Sequence, residues 1–447
     1  MDYRSALAFL DEHTNLEGGR KDRFDGPKRP ELPTAGQVDG LSLDPMLELM
    51  SALGDPHTAF RSIHLTGTNG KGSSARMIDA ILRRMDLSVG LYTSPNMDKV
   101  NERLSWDGKD IPDEDFARVL ELLASVSPLL SRKPSRFELL TAAAFVWFAE
   151  QGVEVGVVEV GLLGRYDATN VVDSDVAVLT NIGKDHTDGR DGWEQAVAAE
   201  KAGIIKPKSH VILGSPMPDL RPIIEAEPSA GLWVAGEDFE VETNTIALGG
   251  RSIDLRTPGG HYDQLYVPAH GAHQGDNAAT AVAAVEAFFD KPTPEELIGE
   301  AWTDVRFPGR FEVVGREPTV ILDGAHNPDG ATAAYRTLTE EFARLGSWVL
   351  VVGMLSGKDP IEMLQALGAQ DFDAVICTEP NWSRAIAAEE IAAAATILGM
   401  SPEVVRKPVE ALERARSVTA ADDLILVAGS LYVVGEIRTA IGPDAPQ

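Results

Sequence analysis

Leu65-Thr66-Gly67-Thr68-Asn69-Gly70-Lys71-Gly72-Ser73-Ser74 is the stretch on which the fold turns. An apolar lead, Ser62-Ile63-His64-Leu65, runs into it, and Ala75, Met77, Ile78, Ala80, Ile81 and Leu82 follow at helical spacing. Strand, glycine-rich turn and helix, in that order, make a phosphate cradle. Glycines let successive backbone N–H groups face one point, and the helix N-terminus adds partial positive charge. Lys71 supplies a point charge for terminal phosphates. The common form of this loop needs glycine at position 65, where this chain has Leu65. The loop is therefore the variant Gly-Thr-Asn-Gly-Lys. In isolation it could also be a glycine-rich turn carrying a surface lysine.

Outward from the loop the same rhythm repeats. Val89 to Thr93 delivers Ser94-Pro95-Asn96; Val155 to Val160 carries Glu159 near its C-terminal end; Val176 to Thr180 feeds Asn181-Ile182-Gly183-Lys184-Asp185-His186. Strands that end in functional loops predict one parallel sheet with its ligands at the carboxyl edge. Helices are expected over 3–13, 44–53, 113–123, 137–151 and 193–201. Residues 231–268 alternate polar and apolar and read as a small antiparallel addition, followed by an alanine-rich helix from Ala278 to Phe289. Past Arg306-Phe307-Pro308-Gly309-Arg310 the β-α pattern restarts, with strands at 319–322, 348–352, 374–377 and 424–427. The expected fold is α/β: a P-loop ATPase domain over 1–305, then a smaller Rossmann-like domain over 306–447.

The chain of 447 residues carries a net charge of −29. That field disfavours nucleic acid and anionic membrane surfaces. Any anionic substrate must therefore meet local cations. Arg20, Lys21, Arg23, Lys28 and Arg29 form a basic cluster, either a solvated loop or a segment that meets such a substrate. No apolar run of about 18 residues exists, and no signal-peptide core opens the chain, so a cytoplasmic location is expected. The single cysteine, Cys377, lies in an apolar strand and reads as a buried, inert thiol.

A cradle with one lysine needs a divalent cation to manage a triphosphate. Magnesium prefers oxygen donors, which Glu159 and Ser94 offer from adjacent strand ends; His186 could serve a second site. Taken singly, Glu159 could equally pair with a basic residue, and His186 could cap a turn. Arg310 could reach a phosphate across a cleft or form an interdomain salt bridge. Asp323 and His326, after a strand of the second domain, face the same cleft.

Together with Asn101-Glu102-Arg103, Asp167-Ala168-Thr169-Asn170, Glu200-Lys201-Ala202-Gly203, His273-Gln274 and Asp323-Gly324-Ala325-His326-Asn327-Pro328, these motifs resemble the folylpolyglutamate synthase/dihydrofolate synthase family of the Mur-ligase superfamily. The resemblance spans roughly residues 40 to 440. It implies ATP-dependent ligation of L-glutamate to 7,8-dihydropteroate, to the γ-carboxylate of reduced folates, or to both, through an acyl phosphate. It implies ATP on Thr68, Asn69, Gly70, Lys71, Gly72, Ser73, Asn277, Arg310 and Asp323, and magnesium at two sites on Ser94, Glu159 and His186. Lys71, Lys201 and His326 take catalytic roles, with Lys201 carbamylated and potassium as a further cation. Phe137, Glu138, Arg165, Asp167, Asn170 and Ser430 are expected at the pterin and glutamate ends. The resemblance also implies a monomer whose partners are small molecules. The chain departs from the family at Asn96, where a histidine is usual, at Leu163 and Tyr166, and at Lys184; these fall near the acceptor. A ligase for another pterin-like or aromatic acid, and a nucleotide-binding regulator without activity, are the alternatives.

Overall fold

The computed structural model describes residues 1–15, 42–185, 187 and 190–442. The basic cluster at 20–29 and His186 lie outside the described residues. Among the described residues the chain forms three sheets. The first contains β1 (Arg61–Thr66), β2 (Val89–Tyr92), β3 (Leu104–Trp106), β4 (Lys109–Asp110), β5 (Val155–Glu159), β6 (Val176–Leu179), β7 (His210–Leu213) and β8 (Gly231–Val234), in the order β4-β3-β2-β5-β1-β6-β7-β8. From β2 to β8 all neighbours are parallel; β3 and β4 extend the edge as an antiparallel ribbon.

Alternation along the strands divides their side chains between two faces. Ile63, Leu65, Val155, Val157, Val176 and Val178 enter one core, with α3 (Lys71–Arg84), α8 (His273–Phe289) and α9 (Glu295–Trp302). Val158 enters the core on the other face, with α1 (Tyr3–Asp11), α2 (Asp44–Ala52), α4 (Asp113–Val126) and α5 (Arg136–Gln151). The remaining helices before α8 are α6 (Trp193–Ala202) and the short α7 (Arg221–Glu225). α5 is buried almost all round. A capping box of Ser135 and Glu138 opens it, and Gly152 at φ +66° ends it.

The second sheet is antiparallel: β9 (Glu240–Ala247), β10 (Gly250–Thr257) and β11 (Gly260–Val267). This corrects the expectation at one point. Residues 231–234 are not part of the addition but pair in parallel with β7. A four-residue apolar strand carries no sign of its direction; the crossover through α7 sets it. α8 also starts earlier than its alanine run, at His273, so Gln274 and Asn277 lie within its first turns.

The third sheet has the order β12-β13-β17-β14-β15-β16, from β12 (Glu312–Arg316), β13 (Thr319–Leu322), β14 (Trp348–Val352), β15 (Ala374–Cys377), β16 (Glu403–Val404) and β17 (Leu424–Ala428). It is parallel except for β12. Helices α10 (Pro328–Glu341), α11 (Pro360–Ala366), α12 (Ala388–Ile397), α13 (Pro408–Ser417) and α14 (Leu431–Ile441) cover it. Cys377 is buried there, and burial pushes its thiol up to about 12, as an inert core residue should behave. No helix among the described residues is long and apolar enough to cross a membrane.

Candidate active site

The carboxyl ends of β1, β2, β5 and β6 meet the second α/β unit across a cleft of about 860 Å³. Its floor is the loop from Gly67 to Ser73. Gly70 sits at φ +85°, and a Cβ there would collide with Asn277 Oδ1, so a side chain is excluded twice over. Thr180 Oγ1 donates to Asn69 O at 2.6 Å, and Gly183 N–H donates to Thr68 Oγ1 at 2.9 Å. The β6 loop therefore braces the cradle. Lys71 Nζ lies against its own loop, donating to Gly67 O at 2.9 Å.

Glu159 ends β5 beside the cradle. One carboxylate oxygen accepts the Ser94 N–H at 3.1 Å, and the carboxylate lies close to Gly72 of the cradle. Burial raises its pKa, while Lys71, the Ser94 N–H, Arg310 and Arg76 oppose the rise. A buried carboxylate that faces cations, next to a serine hydroxyl, is a donor set suited to magnesium. Among the described residues no cluster of three His, Cys, Asp or Glu stands ready for a metal. A cation here would have to share its shell with phosphate oxygens and water, which is how magnesium usually binds.

Lys201, on α6, is buried and donates to the same Gly67 carbonyl at 2.8 Å. Burial lowers its pKa to about 7; Lys71 lowers it too, and Asp185 and Asp167 act the other way. Burial therefore favours its neutral amine form.

The opposite wall comes from the second unit. Asp323 accepts from Phe311 N and Ala325 N, both at 2.8 Å, and burial raises its pKa against Arg310. His326 donates through Nδ1 to Gly324 O at 2.9 Å, which leaves Nε2 facing Asp185 at 3.6 Å. Lys358 forms an ion pair with Asp185. Asn327 and Asn69 exchange side-chain amide bonds at 3.0 and 3.2 Å across the cleft. Arg310 lines the cleft between Glu159 and Asp323.

The structure thus brings together Thr68 to Ser73, Ser94, Glu159, Lys201, Asn277, Arg310, Asp323 and His326. Of the remaining predicted site residues, the six that are described do not enter the cleft lining. Glu138 caps α5 and pairs with Arg132 at 2.5 Å. Arg165 pairs with Glu227, and Asn170 donates to Arg165 O and Gly203 O. Asp167 accepts from Leu162 N and Thr169 N, fixing the turn after β5. Ser430 caps α14. Phe137 stands behind Gly161, where a Cβ would collide with its ring. Two unusual residues are explained: Asn96 accepts from Arg103 Nε at 2.7 Å, and Lys184 pairs with Glu362 across the cleft at 2.7 Å.

Some lining residues were not singled out from sequence. Gly214 to Pro216, Ala235, Phe239 and Val241 line the cleft together with the start of α8. Lys358 is outside that lining but pairs with Asp185 of it; it follows β14, so the strand-end rule that marks Glu159 could have marked it.

A model of the Mur ligase middle domain matches residues 65–285, and one of the Mur ligase glutamate ligase domain matches residues 309–431. A Mycobacterium tuberculosis dihydrofolate synthase/folylpolyglutamate synthase is 37% identical over 445 residues, covering 90% of this chain and 90% of the relative. The M. tuberculosis folylpolyglutamate synthase solved with ADP and AMPPCP has a TM-score of 0.86 at 36% identity, covering 91% of this chain and 96% of that one. E. coli FolC in complex with DHPP and ADP gives 0.82 at 28% identity, with 99% and 98% covered. A bifunctional enzyme of the same name as the first relative's two activities, solved with Mn, AMPPNP and L-glutamate, gives 0.82 at 27%, with 99% and 98% covered.

Proposed function

The chain belongs to the folylpolyglutamate synthase/dihydrofolate synthase family of Mur ligases, and from that premise we propose how its own residues carry out ATP-dependent ligation of L-glutamate to a pteroate or folate carboxylate. The observation that carries the reading is one cleft with the Gly67–Ser73 cradle and Glu159 on one wall and Arg310, Asp323 and His326 on the other.

The acceptor carboxylate oxygen attacks the γ-phosphorus of ATP, ADP leaves, and an acyl phosphate results. The glutamate amine, having lost a proton from its ammonium form, then attacks the acyl carbon. The tetrahedral intermediate gives up the second nitrogen proton and collapses to an amide, and phosphate leaves carrying that proton as hydrogen phosphate. Lys71 is placed to swing from the Gly67 carbonyl onto the β- and γ-phosphates, and Arg310 to meet charge that builds on the transferring group. A bound magnesium ion would neutralise phosphate charge and polarise the phosphorus; Ser94 and Glu159 would hold it, and we assign His186 to the second site. His326 Nε2, its tautomer set by the bond from Nδ1 to Gly324 O, is placed to take a proton from glutamate's ammonium. Closure of the two walls excludes water from an intermediate that water would hydrolyse.

Several finer assignments belong to the same reading. Lys201, neutral in part at pH 7, is suited to add CO2 and release a proton, becoming an anionic carbamate beside the second metal; potassium is a further cation of the site. The acceptor is placed along Gly161, Leu163 and the turn that Asp167 and Asn170 fix, with Phe137 behind it and Glu138 and Arg165 at its margins. Ser430 contributes towards glutamate through the start of α14. We divide the two units at 305/306. The chain is read as a cytoplasmic monomer, which its one buried cysteine suits.

The test is phosphate release from ATP and magnesium with glutamate and either 7,8-dihydropteroate or a reduced folate. Release that requires both glutamate and acceptor supports the reading. ATP turnover indifferent to both would contradict it, and turnover only with an unrelated aromatic acid would favour the other-ligase alternative.

A further inference from the structure

The three-stranded antiparallel sheet has no place in the chemistry above, yet it is tied to both walls of the cleft. Glu341, at the C-terminal end of α10 in the second unit, has a side chain only 1% exposed. Its Oε1 accepts from Arg251 Nη1 of β10 and from the Gly271 N–H, at 2.9 and 2.8 Å. Its Oε2 is 2.8 Å from His270 Nδ1. Arg251 is itself 6% exposed, and its guanidinium also donates to Asn244 Oδ1 at 2.7 Å and Asn244 O at 3.0 Å. Asn244, on β9, donates through Nδ2 to Ala272 O at 2.8 Å. Ala272 is the residue that caps α8.

Three of these bonds end on residues 270–272, and Arg251 links their two sources, Glu341 and Asn244. The next residues, His273, Gln274, Asp276 and Asn277, line the nucleotide cleft. The close approach is built into the sequence by two glycines. A Cβ at Gly271, which sits at φ +98°, would lie 2.8 Å from Thr337 Oγ1 of α10, and a Cβ at Gly275 would lie 2.5 Å from Asn244 Nδ2. Phe311 and Phe342 pack with the His270 ring, so the contact is enclosed and poorly screened.

We infer that Glu341 is a positioning residue for the nucleotide: docking of the second unit lets it grip Gly271 and Arg251, and the antiparallel sheet passes that grip through Asn244 to the first turn of α8. ATP binding and closure of the cleft are then coupled, and by linkage each favours the other. The sheet is a strut, and its fixed length sets where α8 begins. This rests on the ATP-binding reading given above.

The experiment compares wild type with Glu341→Gln and Asn244→Ala. It measures ADP affinity by titration calorimetry, the KM for ATP against kcat, and compaction on nucleotide binding by small-angle X-ray scattering. Glu362→Gln, which removes an exposed pair between the same two units, is the control. The inference predicts at least fivefold weaker ADP binding and a matching rise in KM for ATP in both variants, with kcat within twofold. Glu341→Gln should also lose the compaction, and Glu362→Gln should lose neither property. If Glu341→Gln does not fold, Asn244→Ala decides by the same criteria, since Asn244 lies wholly within the first unit. ADP affinity within twofold of wild type in the folded variants overturns the inference while leaving the ligase reading intact. Wild type that binds no ADP overturns both.

Discussion

Lys71 and Lys201 both donate to one carbonyl, that of Gly67. Burial lowers the Lys201 pKa most, and repulsion from the Lys71 ammonium on the same acceptor lowers it further. Its folded pKa is lowered, so more neutral amine forms as pH rises through that value. We expect enzyme stripped of CO2 to recover activity on adding bicarbonate, and to recover faster at pH 8 than at pH 6; equal recovery at both would contradict a carbamate. Lys201→Ala should lose activity, with partial rescue by formate or acetate, and an absence of rescue in folded protein would count against the anionic role. Lys71→Ala should lower kcat/KM by about 10²- to 10³-fold, as loss of a transition-state donor does, with an unchanged melting curve. Near-normal kcat/KM would show that the loop is not the cradle. Lys71 was singled out by its loop, which alone also fits a glycine-rich turn with a surface lysine; the neighbouring strand-end loops decided the reading. Lys358 follows β14 and the strand-end rule offers it, yet it went unmarked, because a lysine after a strand looks like any surface charge until the fold sets Asp185 against it.

At the scale of elements, strand-end loops were readable because a parallel strand and its following turn are local in sequence. The cradle, Ser94, Glu159 and the Asp323–Asn327 loop all fall where β1, β2, β5 and β13 end. Direction and partnership were less readable. Gly231–Val234 joined the wrong sheet in the sequence reading because its apolar run fits either partner. Asp167 and Glu138 were expected near the acceptor through the resemblance alone; what the sequence did not show is that each also accepts backbone N–H groups at the start of a helical segment. Gly70 offers an element-level test. An alanine there must hold φ +85° and displace Asn277, so Gly70→Ala should weaken ADP binding roughly tenfold or more while α3 still forms. Calorimetry with ADP checks this, and unchanged affinity would mean that the loop and α8 are not fixed against each other.

At the scale of the whole molecule, the cleft is closed by contacts of different chemistry. Asn69–Asn327 is neutral, Lys184–Glu362 is exposed, and Arg251–Glu341 is buried. The exposed pair is worth about 1 kcal/mol or less, whereas removing one partner of the buried pair costs about 3–5 kcal/mol. Burial pushes the Glu341 carboxyl up, but His270, the Gly271 N–H and Arg251 outweigh it and leave the pKa below 4.5. The stability this provides is complete above pH 4.5 and is lost as pH falls through the lower folded value. Wild type should therefore lose stability faster than Glu341→Gln on acidification below pH 4.5; parallel urea midpoints across that range would contradict the assignment. Interdomain pairs of this kind join residues far apart in the chain, so sequence reading placed two units but not what holds them together. The chemistry of the closed cleft is tested most directly with acceptor labelled by ¹⁸O in its reacting carboxylate. If the carboxylate is phosphorylated before amide formation, each phosphate released in a single turnover carries one of those labelled oxygens. Unlabelled phosphate, released alongside amide product, would contradict the acyl-phosphate route.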